Sequence, residues 1–247
     1  MNWRYLVGKS LSNLGNSVLC SKLMPLTRIV PPGISYPYDI KRFYQPYHIK
    51  TIFDVGANIG QTSLFLNRHF PQAEIFAFEP VQATYELLKN NSKHLKNIKT
   101  FNYALGNQES QKTIRLRENS ELNTLVNGSN KLLLESGKLQ TVEITTVDTF
   151  CQKNNIDKID ILKMDVQGYE TEVLSGAESC LKNNLVKFIY SEIGFDELDK
   201  ECQSFSKINT FLQKYDFRLS GFYEILRWGD NKKYFGFCNA LFVHCNL

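Results

Sequence analysis

From residue 51 onward, strand-like segments alternate with helix-like segments, and this order constrains the fold more than any other feature of the chain. Strands that alternate with helices form a parallel sheet covered by helices on both faces. We therefore predict an α/β fold. The predicted core strands are Thr51–Val55, Glu74–Glu79, Ile98–Tyr103, Asp160–Asp165 and Val186–Glu192.

The alternation stops near the carboxyl terminus. Phe217–Trp228 and Phe237–His244 are separated only by the turn-forming residues Gly229–Lys233, so they must form an antiparallel hairpin. Upstream, Thr113–Arg117 and Thr141–Thr146 both alternate with period two, and we expect two added strands joined by a polar excursion.

The helical spacing of apolar residues predicts one continuous helix over Tyr169–Asn183. Residues 1–50 do not fit the alternation and are rich in proline and tyrosine, so we treat them as a helical and irregular extension of a domain spanning 51–247. The length of 247 residues favours one large domain with additions.

Composition excludes several classes of protein. A net charge of +4, spread along the chain, is too small for a dedicated nucleic-acid binder. No apolar run approaches the ~18 residues of a membrane-spanning helix, and the first 24 residues lack the apolar stretch of a signal peptide. The six cysteines and four histidines show no metal-ligand spacing. We expect a cytoplasmic protein without a metal, of unknown oligomeric state.

The first predicted strand ends in a glycine turn, Asp54–Gly60, that opens directly into a helix. Gly56 and Gly60 allow a tight turn and a close approach to a ligand, and the free N–H groups at a helix start favour an anionic group. Glu79 follows 19 residues after Gly60 at the end of the next strand, where an acid can accept hydrogen bonds from a ribose diol.

The turn departs from the dinucleotide fingerprint because Asn58 replaces the middle glycine that admits a pyrophosphate. Asp54 would repel a pyrophosphate but attract an ammonium or sulfonium group. On charge grounds the predicted ligand is a nucleoside with a cationic amino-acid tail, which S-adenosylmethionine fits.

Over roughly residues 50 to 245 the chain resembles the FkbM family of S-adenosylmethionine-dependent methyltransferases. The combination of the glycine turn with Lys163–Glu170 is specific to that family. The segments that carry the resemblance are Phe53–Gly60, Phe78–Pro80, Asn102–Gly106, Thr145–Phe150, Lys163–Glu170 and Val173–Ala177. The resemblance implies a class I methyltransferase fold of the Rossmann-like type, with a seven-stranded, mostly parallel sheet and a terminal antiparallel hairpin.

The cofactor contacts follow from the turn and the resemblance together. Asp54, Gly56, Asn58 and Gly60 are expected to surround the methionyl part of S-adenosyl-L-methionine, and Glu79 to hold the ribose hydroxyls. The resemblance implies that Ala104 lies against the adenine. Main-chain groups would then recognise the adenine.

Asp165 and Glu192, which end neighbouring strands, are the candidate catalytic acids. A hydroxyl is a poor nucleophile, and a positioned base that removes its proton assists methyl transfer. Asp165 is an alternative contact for the cofactor amino group. Lys163 shares the strand face of Asp165 and is expected to be an ion-pair partner or to lie near an acceptor. Glu170, in the first turn of its helix, is accounted for by the helix dipole.

The predicted function is an O-methyltransferase acting on a hydroxyl of a small molecule or glycan, such as a sugar, glycolipid or polyketide. Three segments are candidates to grip the acceptor: 36–47, 118–140 and 194–204. The alternatives are an RNA methyltransferase, a nicotinamide-dependent oxidoreductase and a cofactor-binding module without catalysis. The missing middle glycine and the hairpin argue against the oxidoreductase, and the acids Asp54, Glu79 and Asp165 against the inactive module.

Overall fold

The computed structural model describes residues 31–115, 124–125, 139–195 and 202–247. The strands are β1 (Thr51–Val55), β2 (Glu74–Phe78), β3 (Ile98–Phe101), β4 (Ala104–Leu105), β5 (Ser110–Arg115), β6 (Thr124–Leu125), β7 (Leu139–Thr145), β8 (Ile159–Met164), β9 (Val186–Gly194), β10 (Phe217–Tyr223), β11 (Arg227–Trp228), β12 (Tyr234–Phe235) and β13 (Phe237–His244). The helices are α1 (Tyr36–Phe43), α2 (Gln61–His69), α3 (Gln82–Ser92), α4 (Val147–Asn154), α5 (Glu170–Ser175), α6 (Glu178–Lys182) and α7 (Phe205–Gln213), with a 3₁₀ turn at Asp230–Lys232.

A seven-stranded sheet in the order β10-β13-β9-β8-β1-β2-β3 forms the centre of the molecule. The five strands from β9 to β3 in this order run parallel, whereas β13 is antiparallel to both β9 and β10. The predicted fold is confirmed, including the terminal hairpin. Since β13 is antiparallel to both neighbours, β10 runs in the same direction as the parallel strands. The segment that connects β10 to β13 therefore lies at the carboxyl edge of the parallel strands.

Helices cover both faces of this sheet, as predicted. Neighbouring residues of β1 point to opposite faces, so Ile52 packs in one buried cluster and Phe53 in the other. The cluster around Ile52 includes residues of α1, α2 and α3, and the cluster around Phe53 includes residues of α4, α5, α6 and α7. Burial of both faces explains why most residues of the core strands are apolar.

Two predicted elements differ from the structure. The helix predicted over Tyr169–Asn183 is split into α5 and α6. At the break, the Gly176 carbonyl accepts the main-chain N–H of Asp148, and the Asp148 carboxylate accepts the N–H groups of Ser179 and Cys180 at the start of α6. The strand predicted over Phe217–Trp228 ends at Tyr223. Trp228 belongs to a separate two-stranded ribbon formed by β11 and β12.

The two added strands are present as β5 and β7, which pair antiparallel. They belong to a second sheet of order β4-β7-β5-β6, not to the central sheet. Residues 116–123 and 126–138, which contain most of the predicted excursion, lie outside the described residues, as do residues 1–30 of the predicted extension and 196–201 of the third acceptor segment.

The tyrosine-rich segment before β1 packs onto the sheet. The Tyr36 ring of α1 stacks on Tyr190 of β9 with a centroid distance of 3.8 Å, and the Tyr223 hydroxyl donates a hydrogen bond of 2.9 Å to Asp39. Among the helices that the structure describes, none has the length and apolar character needed to cross a membrane.

Candidate functional site

The sequence-predicted residues converge on one edge of the central sheet. Asp54, Glu79, Asp165 and Glu192 lie at or directly after the carboxyl ends of β1, β2, β8 and β9. This edge of a parallel sheet is where α/β proteins bind ligands. We call it the carboxyl rim.

The glycine turn is folded tightly against the loop after β8. Gly56 has a φ of +73°, and a Cβ there would lie 1.9 Å from the carbonyl oxygen of Asp165, so no side chain fits. Gly60 has a φ of +96° and begins α2. Asn58, with a φ of +49°, is also left-handed. The start of α2 carries no side-chain cap and no acidic residue in its first turn, so it remains suited to an anionic group.

Glu79 ties the glycine turn to β2. Its Oε2 accepts the main-chain N–H of Asn58 at 3.0 Å, and its Oε1 accepts that of Val81 at 2.9 Å. Burial raises the pKa of Glu79 to about 7, although both main-chain hydrogen bonds oppose the shift. Each oxygen keeps a further lone pair for a ligand hydroxyl.

Lys163 is the cation at the centre of the rim. Its Nζ lies 2.9 Å from Asp54 Oδ1 and donates to the Gly56 carbonyl at 3.2 Å, while the Ser63 hydroxyl donates to Asp54 Oδ2 at 2.5 Å. Burial lowers the pKa of Lys163, but Asp54 and Asp165 outweigh it and raise this pKa above its ordinary value. Lys163 is thus an ion-pair partner of Asp54, one of the two roles expected for it.

This pair changes the charge argument for a cationic ligand. The charge of Asp54 is balanced by Lys163 inside the protein, so Asp54 alone does not require an external cation. The excess of acid is supplied by the other rim carboxyls, Glu79, Asp165 and Glu192, which share the same single lysine.

The two candidate catalytic acids are linked by Gln167. Its Nε2 lies 3.2 Å from Asp165 Oδ1 and 3.4 Å from Glu192 Oε2. The Asp165 side chain is 45% exposed and 3.9 Å from Lys163 Nζ, whereas Glu192 is buried. Burial, followed by the charges of Asp165 and Glu170, raises the pKa of Glu192 to about 8. Glu192 therefore has a raised proton affinity that suits a base acting near neutral pH.

Ala104 is buried and pairs with Ile144 in the second sheet. The nearby Asn102 amide donates to the main-chain oxygens of Glu79 and Pro80, so its side chain shapes the loop after β2. The role of Ala104 beside an adenine stays a prediction.

Two residues, Glu170 and Gln167, make contacts that the sequence did not predict. Glu170 is more than an acid near a helix start: it is fully buried, and its Oε1 accepts the Val166 main-chain N–H at 3.1 Å across the loop after β8. Burial raises the pKa of Glu170 to about 7. Gln167 was not singled out, and only a fold that brings β8 beside β9 reveals that it bridges two acids. Among the described residues, no group of three or more His, Cys, Asp or Glu side chains could hold a metal ion.

Comparison with known proteins identifies relatives of this chain. Methyltransferase sdnD of Sordaria araneosa is 28% identical over 155 residues, which are 51% of this chain and 60% of that protein. Hexuronic acid methyltransferase AglP of Haloferax volcanii is 29% identical over 167 residues, 66% of this chain and 65% of the relative. For 2-O-methyltransferase NoeI of Sinorhizobium fredii the identity is 25% over 158 residues, 60% of this chain and 64% of the relative. In each case the match spans less than two thirds of the relative's length.

The sequence-family model named methyltransferase FkbM domain matches residues 54–219, well over half of the chain. The matched range begins at the rim acid of β1 and contains the glycine turn, Glu79, the loop after β8 and Glu192. The chain belongs to the FkbM methyltransferase family.

Proposed function

We propose that the protein transfers a methyl group from S-adenosylmethionine to a hydroxyl of a small molecule or glycan. The observation that carries this proposal is the carboxyl rim, where a glycine turn and a helix start suited to anions adjoin a linked pair of acids. Two relatives are named for a hexuronic acid and for a 2-O position, which supports an oxygen acceptor on a sugar.

The residues of the rim fit this cofactor. The uncapped start of α2 suits the carboxylate of an amino-acid tail, and the rim carboxyls suit its cationic groups. The free lone pairs of Glu79 suit the ribose hydroxyls, at the strand end where dinucleotide folds carry the same contact. Gly56 lets the turn pack against the loop after β8, and Gly60 allows the left-handed backbone from which α2 begins. When bound, S-adenosylmethionine would supply an electrophilic methyl group.

The protein would position and deprotonate the acceptor. Glu192, with its raised proton affinity, accepts the proton of the reacting hydroxyl as the new O–C bond forms. Asp165 is the more exposed of the two acids and orients the acceptor, while Gln167 fixes the separation of the two carboxyls. Lys163 balances the charge of Asp54, so the acidic character of the rim comes from Glu79, Asp165 and Glu192.

Thermal unfolding with added ligands tests the cofactor. We expect S-adenosylmethionine and S-adenosylhomocysteine at 100 times their Kd to stabilise the protein by about 2.7 kcal/mol, and NAD to leave its unfolding temperature unchanged. Stabilisation by NAD alone would favour the oxidoreductase. Release of S-adenosylhomocysteine with an acceptor panel then distinguishes an enzyme from a binding module.

A further inference from the structure

A second polar cluster lies beside the carboxyl rim. It consists of Tyr36, Tyr190, Glu224 and Asn239, and we call it the hairpin-side cluster. Glu224 Oε2 accepts a hydrogen bond of 2.8 Å from the Asn239 amide and one of 3.3 Å from the Tyr190 hydroxyl. The Tyr36 ring stacks on Tyr190 at an interplanar angle of 19°.

This cluster shares the sheet face of the candidate base. Tyr190 precedes Glu192 by two residues on β9, so both side chains point to the same face. Asn239 of β13 is the register partner of Glu192. Lys163 and Asp165 both act on the pKa of Glu224, so the cluster and the rim lie within electrostatic range of each other.

The Tyr36 hydroxyl is the unusual member of the cluster. The residue is only 3% exposed, yet its oxygen has no hydrogen-bond partner in the part of the chain that the structure describes. Burial, followed by the charges of Glu224 and Asp54, raises the pKa of this phenol, so the oxygen lies in the field of both carboxylates. Leaving a buried hydroxyl without a partner costs about 1–3 kcal/mol. A bound ligand can supply the missing partner.

Glu224 complements this hydroxyl. It follows β10 directly, remains accessible to solvent, and retains lone pairs beyond those used by Tyr190 and Asn239. A ligand hydroxyl can donate to the Glu224 carboxylate and accept from the Tyr36 phenol at the same time. An ammonium group has no lone pair for the phenol, and an anionic group would be repelled by the carboxylate.

We propose that Tyr36 and Glu224 bind a second hydroxyl of the acceptor, while the reacting hydroxyl lies at Glu192. This subsite rests on the proposed methyl transfer and deepens it, because it requires an acceptor with at least two hydroxyl groups. Asn239 and Tyr190 hold the Glu224 carboxylate in place. A polyhydroxylated ring satisfies both positions, and a monohydric alcohol of the same size satisfies only the first.

Release of S-adenosylhomocysteine tests the subsite with a panel of methyl hexopyranosides and, as the monohydric probe, cyclohexylmethanol. For a glycoside that is methylated, Tyr36→Phe should raise KM about 5- to 10-fold, the equivalent of one lost hydrogen bond. The Kd for S-adenosylmethionine, from calorimetry, should not change. Tyr215→Phe is the matched control and should leave KM unchanged, because Tyr215 packs against the buried cluster on the opposite face of the central sheet.

Each other outcome has a defined meaning. An unchanged KM in Tyr36→Phe, or equal kcat/KM for cyclohexylmethanol and the glycosides, overturns the subsite. Binding of S-adenosylmethionine without turnover of any glycoside also overturns it, and leaves cofactor binding by the family fold intact. Failure to bind S-adenosylmethionine overturns the proposed function itself.

Discussion

The carboxyl rim has two halves that hold their acids in different ways. On the half formed by β1 and β2, Glu79 is held by the main-chain N–H groups of Asn58 and Val81. On the half formed by β8 and β9, Asp165 and Glu192 are held by the side chain of Gln167. Main-chain donors thus hold Glu79 in the first half, where the side chains of Lys163 and Ser63 hold Asp54, whereas a side chain links both acids of the second half.

The two kinds of contact differ in how readily a single substitution can change them. Main-chain donors are independent of residue type, so the first half suits a ligand that is the same in every reaction cycle. Side-chain contacts change with single substitutions, so the second half suits tuning of proton affinity and acceptor choice. The raised pKa of Glu192, about 8, depends on burial and on its neighbours Asp165 and Glu170.

Glu192→Gln should give the largest effect and break the second half alone. Without the proton acceptor, kcat should fall roughly 10²- to 10⁴-fold, measured by S-adenosylhomocysteine release, while the Kd for S-adenosylmethionine stays the same. In the unaltered protein kcat/KM should rise as the pH approaches about 8 and then level off, because Glu192 must lose its proton before it can accept another.

Asp165→Asn is the comparison that identifies the base. If Asp165 only orients the acceptor, its variant should keep the rise of kcat/KM with pH and lose less activity than Glu192→Gln. A greater loss in Asp165→Asn, with the pH dependence abolished, would assign the proton transfer to Asp165.

Glu79→Ala should give the next largest effect and break the first half alone. The Kd for S-adenosylmethionine should rise about 10- to 100-fold, since two hydrogen bonds of about 1–1.5 kcal/mol each are lost. At saturating cofactor, kcat should change little. Calorimetry measures the affinity, and Glu74→Ala, at the exposed start of the same strand and paired with Lys99, is the control. An unchanged affinity would contradict the ribose assignment.

Glu170→Gln should give the smallest effect, on stability instead of activity. The pKa of Glu170 is raised to about 7 in the folded protein, so the folded state keeps a proton that the unfolded chain has already released. Stability therefore falls as the pH rises from about 4.5 to 7. Glutamine cannot ionise, so the free energy of unfolding of the variant should exceed that of the unaltered protein as the pH rises through this range, by at most roughly 3 kcal/mol.

Thermal melts at pH 5 and pH 8 measure this gain. Glu178→Gln, on the neighbouring helix, is the matched control, because its carboxylate is exposed and its pKa is lowered by Lys182. No pH-dependent gain is expected there. An equal gain in both variants would show that the effect is not due to burial of Glu170.

The sequence predicted the first half of the rim better than the second. Asp54, Gly56, Gly60 and Glu79 lie within 26 residues, and strand ends and glycine spacing identify them locally. The alternation of strands and helices predicted the parallel strands, and its interruption near the carboxyl terminus predicted the hairpin. The hydrogen bonds from Ser179 and Cys180 to Asp148, where the predicted helix is split, join residues 31 and 32 positions apart and leave no periodic signal.

In the second half, the sequence identified Asp165 and Glu192 as candidate acids but not the side chain that links them. Gln167 carries an ordinary polar side chain, and its value depends on Glu192, 25 residues later on another strand. Tyr36 looked like one of several scattered aromatics, and its unpartnered hydroxyl is a property of packing that composition cannot express. Site residues that are close in the sequence can be predicted from the sequence alone. Contacts between residues on different strands can be predicted only when the register of the sheet is known.

The contact between Gly56 and the carbonyl of Asp165 has a practical consequence for engineering. Because the two turns touch without room for a methyl group, a loop inserted after β8 to broaden acceptor range would displace the turn that precedes α2. Libraries that randomise 165–168 should therefore be screened for cofactor retention first. Substitutions in the β10–β13 connection, at residues 225–236, do not alter the contact between Gly56 and Asp165. This connection is therefore the better place to vary when new acceptors are sought.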